Sequence, residues 1–249
     1  AAAAVGCGAV GEGKCNISLG TSGTVFITSE KFGVDAKNAL HSFAHADGGY
    51  HLMGCILSAA SCNKWWMDSI LHAEDYPAEQ ASITPDKLGA NDVYYLPYLM
   101  GERSPHNDPA ARGAFLGLRM DTTRADMTQA VLEGVAFAIR DCVEIARAQG
   151  ITVTHSTLCG GGAKSPLWRT IIANVLDMTL QLPQTEQGPG YGSAMLAAVA
   201  CGEYATVADC AKALVKIKSE TKPDPELVGK YNARYAAWKQ IYPTLKVLE

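Results

Sequence analysis

Apolar residues recur every three or four positions between 123 and 149, at Met127, Val131, Val135, Ala138, Cys142 and Ala146. That spacing predicts one long amphipathic helix, closed by Gly150. Asp126, Gln129, Glu133, Arg140 and Glu144 fall mainly on its other side and are expected to form a solvated or partner-facing stripe. Upstream, short strand-like runs at 16–19, 24–28 and 51–55 are joined by polar or Gly-containing links that suit antiparallel pairing. A helix over 58–72, a strand over 93–98 and a polar loop over 101–113, with prolines at 105 and 109, are expected next. Beyond the long helix the order is strand (156–159), glycine turn, helix (166–177), strand (179–182) and helix (192–201), a β-α-β unit that implies a parallel pair. Helices over 206–217 and 225–242 complete a helical tail from about residue 203. The class is therefore α/β, a mixed sheet flanked by helices. With no linker rich in Pro, Gly or Ser, residues 1–249 read as a single domain.

Composition narrows the partners. Twenty-one basic and 25 acidic residues give a net charge of −4, with no cluster of Lys and Arg dense enough to neutralise a run of phosphates, which argues against nucleic acid. No apolar run reaches the roughly 20 residues needed to cross a bilayer, and the opening AAAAVGCGAV resembles a helix cut open rather than a signal peptide. Eight cysteines, none in a C-x-x-C spacing, are expected to be reduced, mostly buried thiols of a cytoplasmic protein.

Two glycine motifs fail on context. GCGAVG (6–11) fits G-x-G-x-x-G, but a helix-like alanine run precedes it and a strand follows, the reverse of a dinucleotide turn. GAVGEGKC (8–15) puts Cys15 where a P-loop needs a hydroxyl, again ahead of a strand. A glycine-rich turn between helix and strand accounts for both. The pair of histidines in HSFAH (41–45) is expected to lie in a surface loop without a metal, and Asp47, Asp92, Asp108 and Asp121 are expected to be solvated loop carboxylates. No residue is assigned as a metal ligand.

Two other loops fit their surroundings. LGTSGT (19–24) joins two strands by a tight turn in which Gly20 and Gly23 free the backbone while Thr21 and Ser22 add hydroxyls, a nest suited to phosphate oxygens and equally to a plain hairpin turn. CGGGAKSPLW (159–168) follows a strand and opens a helix, with Ser165 placed as N-cap and Pro166 at the first helical position. Gly160, Gly161, Gly162 and Ala163 keep large side chains off the wall beside that helix start. A ribose, base or α-phosphate could approach there, or the glycines could simply make the turn.

With the text between them, these loops resemble the FGGY carbohydrate kinases of the actin-like, ribonuclease-H-like ATPase superfamily. The most specific match is GAFLGL (113–118) followed after seven residues by DMTQAVLE (126–133). Segments 96–118 and 51–66 are most similar to the members that act on D-xylulose. The resemblance implies that Gly20, Thr21, Ser22 and Gly23 hold ATP phosphates, and that Gly160, Gly161, Gly162, Ala163 and Ser165 hold adenosine and the α-phosphate. It implies ATP with Mg2+ as companion and a ketopentose as acceptor, with ribulose, gluconate, glycerol or a non-catalytic ATP-binding module as alternatives. It further implies an aspartate base in a Gly-Asp-Asn triplet directly before the alanine-rich start, and a preceding sugar-binding domain. Neither lies within these 249 residues, so no catalytic residue is assigned and the chain alone is expected to be inactive. GYGSA (190–194) departs from the usual G-A-A by Ser193, which should leave helix packing intact. A second copy of the chain is a partner left open.

Overall fold

The computed structural model describes residues 1–185 and 187–246. The chain opens with a short helix, α1 (Ala2–Gly6), and then the strands β1 (Cys15–Leu19), β2 (Gly23–Ser29), β3 (His41–Ala44) and β4 (Tyr50–Ile56). Helix α2 (Ala60–Lys64) runs on as a π-helical stretch over Trp65–Ile70, followed by α3 (Tyr76–Ala81). β5 (Tyr94–Leu96) and β6 (Ala114–Leu116) pair with each other, and α4 (Arg124–Ala148) crosses behind the sheet. The second half adds β7 (His155–Cys159), α5 (Pro166–Leu176), β8 (Thr179–Pro183), α6 (Gly188–Ala200), α7 (Val207–Leu214), β9 (Ile217–Thr221), α8 (Pro225–Trp238) and α9 (Ile241–Leu245). Among the described residues the main sheet has seven strands in the order β3-β4-β2-β1-β7-β8-β9. It is antiparallel from β3 to β1, parallel through β1, β7 and β8, and antiparallel again at β9.

Strand alternation sorts the sheet into two unlike faces. Cys15, Ile17 and Leu19 of β1, Val25 and Ile27 of β2 and Leu158 of β7 point into the main core, which α4 and α5 fill. Their neighbours on the opposite face include Asn16 and Thr157, paired side by side, with Asn16 Nδ2 donating to Thr157 Oγ1 at 3.0 Å. Over that face α1 and α6 cross so closely that a Cβ on Gly192 would lie 1.7 Å from Ala2 O, and one on Gly6 would lie 2.6 Å from Gly188 O. Gly6 of the rejected dinucleotide motif is thus a helix-crossing residue, and Ser193 beside Gly192 is accommodated as expected.

The long helix forms where its periodicity places it, started by a capping box in which Thr123 and Asp126 exchange side-chain-to-backbone bonds. The solvated stripe is corrected. Residues 128–139 are buried without a break; Glu133 lies under α8, and Gln129 beside it donates to Lys87 O at 2.8 Å. There Glu133 accepts from Gln129 Nε2 (2.7 Å), Tyr231 Oη (3.0 Å) and Arg234 Nη2 (2.8 Å), while burial pushes its carboxyl upward against these partners. A buried carboxylate needs this satisfaction, since an unpaired one costs several kcal/mol, on the order of 3 to 5.

Both sheet edges differ from expectation. HSFAH is not a loop: His41–Ala44 is edge strand β3, and His45 is buried against His51 with ring centroids 5.6 Å apart. The C-terminal tail is not wholly helical, because Ile217–Thr221 adds β9 to the far edge. The helix expected from 192 begins at Gly188. The polar loop is built inward: Glu102 accepts from Leu57 N (3.1 Å) and Ser104 Oγ from Cys55 N (3.1 Å), which extends the end of β4. Asp108 is likewise no solvated carboxylate; it is buried and held well below its usual range by Tyr242 and Lys246 of the C-terminal segment.

Candidate functional site

The two glycine loops meet. β1 and β7 are parallel neighbours, so the hairpin that leaves β1 and the loop that leaves β7 emerge side by side at the carboxyl ends of the strands, where open α/β sheets place their ligands. A cavity of about 920 Å³ opens there, within the range of small-molecule sites. Gly20 and Thr21 line it from the hairpin, Gly161, Gly162 and Ser165 from the second loop. α2 supplies Ala60, Ser61, Asn63 and Lys64, and α3 supplies Tyr76, Pro77 and Gln80.

Local bonding shows why each loop is where it is. Ala60 N donates to Gly20 O (2.8 Å), and Ala59 N and Ser61 N donate to Thr21 O (3.0 and 3.2 Å). The hairpin carbonyls therefore satisfy the first free N–H groups of α2 and fasten that helix beside the cavity. Gly23 turns away from the wall, its missing side chain making room for Ala59 and Ile56, and Ser22 is exposed at the turn without lining the cavity.

In the second loop, Gly161–Lys164 forms a single 3₁₀ turn and Ser165 caps α5, accepting from Trp168 N at 3.1 Å. The three glycines separate into different tasks. Gly160 has φ +92°, and a Cβ there would meet Leu19 O at 2.6 Å. Gly162 backs onto Leu19 and Trp168, whose side chains would stand 2.6 and 2.9 Å from an added Cβ. Gly161 alone faces open space. Ala163 is buried and Gly160 is exposed, and neither lines the cavity.

The wall contributed by α3 was not foreseen in the sequence. Ser165 Oγ lies 2.6 Å from Gln80 Oε1 across 85 residues of chain, which ties α3 to the start of α5. Tyr76 donates its hydroxyl to Asp68, whose carboxyl Lys64 and then Tyr76 hold below its ordinary range. Trp168 donates Nε1 to Leu132 O (2.9 Å) and so fixes the loop to the central helix.

A nucleotide fits these residues. The lining is mostly apolar, with Pro77 and Leu167 providing surface for a flat base and the buried Ile83 and Trp168 behind them. Ser61 and Asn63 line the cavity, while Ser61 Oγ and Asn63 Oδ1 are themselves buried and have no hydrogen-bond partner within the protein. A divalent cation finds no equivalent provision: among the described residues no carboxylate lines the cavity, and no group of three or more His, Cys, Asp or Glu could hold a metal ion.

The GAFLGL and DMTQAVLE segments lie elsewhere. They form β6 and the buried start of α4, which makes them architectural rather than chemical.

Residues 15–201 match the C-terminal domain of the FGGY family of carbohydrate kinases. The chain is 36% identical over 247 residues to the xylulose kinase of Escherichia coli, covering 98% of this chain and 51% of that protein. It is 32% identical over its whole length to the xylulose kinase of Staphylococcus epidermidis, of which it covers 50%. A xyloylose kinase from Brucella ovis superposes with a TM-score of 0.91 at 35% identity, over 100% of this chain and 51% of that one. The chain spans about half the length of the curated relatives it matches. The mixed sheet, the paired loops at its carboxyl edge and the family match agree: the chain belongs to the FGGY family of carbohydrate kinases and carries that family's C-terminal domain.

Proposed function

We propose that the cavity binds ATP, and that the intact protein transfers its γ-phosphate to D-xylulose, giving D-xylulose 5-phosphate. The observation that carries the nucleotide reading is the junction of the two loops on one cavity, where Gly161 faces open space. Gly20 and Thr21, with Ser22 and Gly23 shaping the turn, sit on the phosphate side. Gly161, Gly162 and Ser165, with Gly160 and Ala163 as their support, sit on the adenosine side. The xylulose kinases among the relatives support the sugar.

Phosphoryl transfer depends mainly on positioning and charge stabilisation. The role of residues 1–249, taken as one domain, is to hold the nucleotide so that its terminal phosphate faces the acceptor. On the family resemblance, most acceptor contacts come from a sugar-binding domain and the aspartate base from a Gly-Asp-Asn triplet directly before the alanine-rich helix. Mg2+ is proposed as companion to the phosphates, with no ligand on this chain assigned to it. Among the described residues no helix is long and apolar enough to cross a membrane, and all eight cysteines are free of disulfides, which is consistent with a cytoplasmic setting.

Calorimetric titration of the 249-residue chain with MgADP, and separately with D-xylulose, tests this. Saturable nucleotide binding without sugar binding is expected, weakened at least about tenfold by Gly161→Leu, which fills the opening without touching the fold. No nucleotide binding, or equal binding by the variant, would overturn the site.

A further inference from the structure

Gln80 and Pro77 stand three positions apart on α3, and both line the cavity. α3 is fixed at its start, where Asp75 Oδ1 accepts from Ala78 N at 3.1 Å, and along its length, where Arg124 Nε donates to Glu79 Oε2 at 2.9 Å. Gln80 therefore sits on a held element. Its Oε1 lies 2.6 Å from Ser165 Oγ, a separation that belongs to an O–H···O bond rather than to an N–H···O bond. Ser165 has one hydroxyl hydrogen and already accepts from Trp168 N at 3.1 Å, so it donates to Gln80 and the amide oxygen is taken. The amide nitrogen is left over. Gln80 Nε2 has no partner among the described residues and, unlike Ser61 Oγ and Asn63 Oδ1, is not buried. Lys64 and Tyr76, which also line the cavity, are both committed to Asp68.

We propose that Gln80 is the residue that reads the base: its Nε2 donates to a ring nitrogen of a purine lying against Pro77 and Leu167. This rests on the nucleotide reading given above and adds to it the side chain that recognises the base and the atom class it recognises.

A purine offers flat faces and, in the plane of its rings, nitrogens that accept hydrogen bonds. Pro77 and Leu167 supply apolar surface for a face, and Gln80, next to Pro77 along α3, supplies a donor for the edge. The direction of that donor is set before any ligand arrives. Turning the amide over would place its NH2 group on Ser165 and strand the hydroxyl hydrogen, so the bond across to α5 holds the oxygen inward and the nitrogen toward the cavity. A donor fixed in advance loses little freedom when it binds. An acceptor at position 80 would instead meet the ring nitrogens lone pair against lone pair.

MgADP and its 1-deaza, 3-deaza and 7-deaza analogues, each with one ring nitrogen replaced by C–H, are titrated by calorimetry into the 249-residue chain and into Gln80→Glu. Glutamate keeps an oxygen for the Ser165 hydroxyl and removes the donor. In the unmodified chain at least one analogue should bind about tenfold more weakly than MgADP, the ordinary cost of leaving a donor unpaired. In Gln80→Glu, MgADP itself should weaken about tenfold, and the difference between MgADP and that analogue should vanish. Gln80→Met, which also gives up the bond to Ser165, should erase the same difference. A side chain that only shapes the wall would weaken MgADP and the analogue together and leave their difference intact; that result overturns the proposal. So does equal binding of MgADP and all three analogues by the unmodified chain, or undiminished MgADP binding by Gln80→Glu. If the unmodified chain binds no MgADP, the nucleotide reading fails and the base assignment with it, whereas tight MgADP binding that is indifferent to every ring nitrogen removes the base assignment alone.

Discussion

At Gly20 an added Cβ would approach nothing nearer than Ser22 O, at 3.4 Å, whereas at Gly160 it would stand 2.6 Å from Leu19 O with the backbone at φ +92°. Both glycines belong to loops that bound the same cavity, and in the sequence both read as room made for a ligand. The structure separates them. The hairpin is held by its carbonyls, which receive N–H groups from α2, so its glycine is not what keeps it in place. The second loop is held by fit, with Gly160 and Gly162 seated against Leu19 and Trp168; Gly161 and Gly162 both line the cavity, but only Gly161 leaves open space in it. A run of three glycines is thus two packing residues and one opening.

Gly160→Ala should have the largest effect on this contrast. The methyl group meets backbone rather than a flexible side chain, and a positive φ adds strain, so a loss of about 3 kcal/mol is expected in urea unfolding. MgADP binding should be lost with it. An unchanged unfolding midpoint would mean that the loop has slack, and that packing does not hold it. Ser165→Ala comes next, at about 1 kcal/mol, because it removes the N-cap of α5. It also releases Gln80 of α3. Ser165→Asn restores a capping oxygen and should recover most of the stability. If it does not, the bond to Gln80, rather than the cap, is what Ser165 provides.

The same contrast explains what could be read in advance. The long helix, the β-α-β unit and the cap at Ser165 were legible because each has a local signature: a 3.6-residue period, strands alternating with helices, a hydroxyl before Pro166. Context also disposed of GCGAVG and GAVGEGKC, which form the end of α1 and the turn into β1. Edge strands β3 and β9 were illegible, since one face of an edge strand need not be apolar, and Ile217 to Glu220 are all exposed. Glu133 looked solvated because its partners Tyr231 and Arg234 lie about a hundred positions away, and Gln129 because its partner, the Lys87 carbonyl, lies 42 positions upstream. Within the site, Gly20, Thr21, Gly161, Gly162 and Ser165 come together on the cavity wall. The role of α3 had no local signal: none of its residues is buried, and its tie to Ser165 exists only in the folded chain.

Gly20→Ala should have the smallest effect, and it is the substitution that most sharpens the comparison. The backbone at Gly20 lies outside the left-handed region, and 3.4 Å to Ser22 O is at the edge of ordinary contact. Its carbonyl would still accept from Ala60 N, so the fastening of α2 survives. Replacing a glycine at a compatible backbone removes freedom from the unfolded chain, and stability should hold or rise by about 0.5 kcal/mol in urea unfolding. MgADP titration of the same variant supplies a second readout, because Gly20 lines the cavity and the methyl group projects near the proposed phosphates. Weaker binding at unchanged stability would mark Gly20 as a residue of the site. A stability loss as large as that of Gly160→Ala would instead show that both loops are held by fit, and the distinction between them would fall.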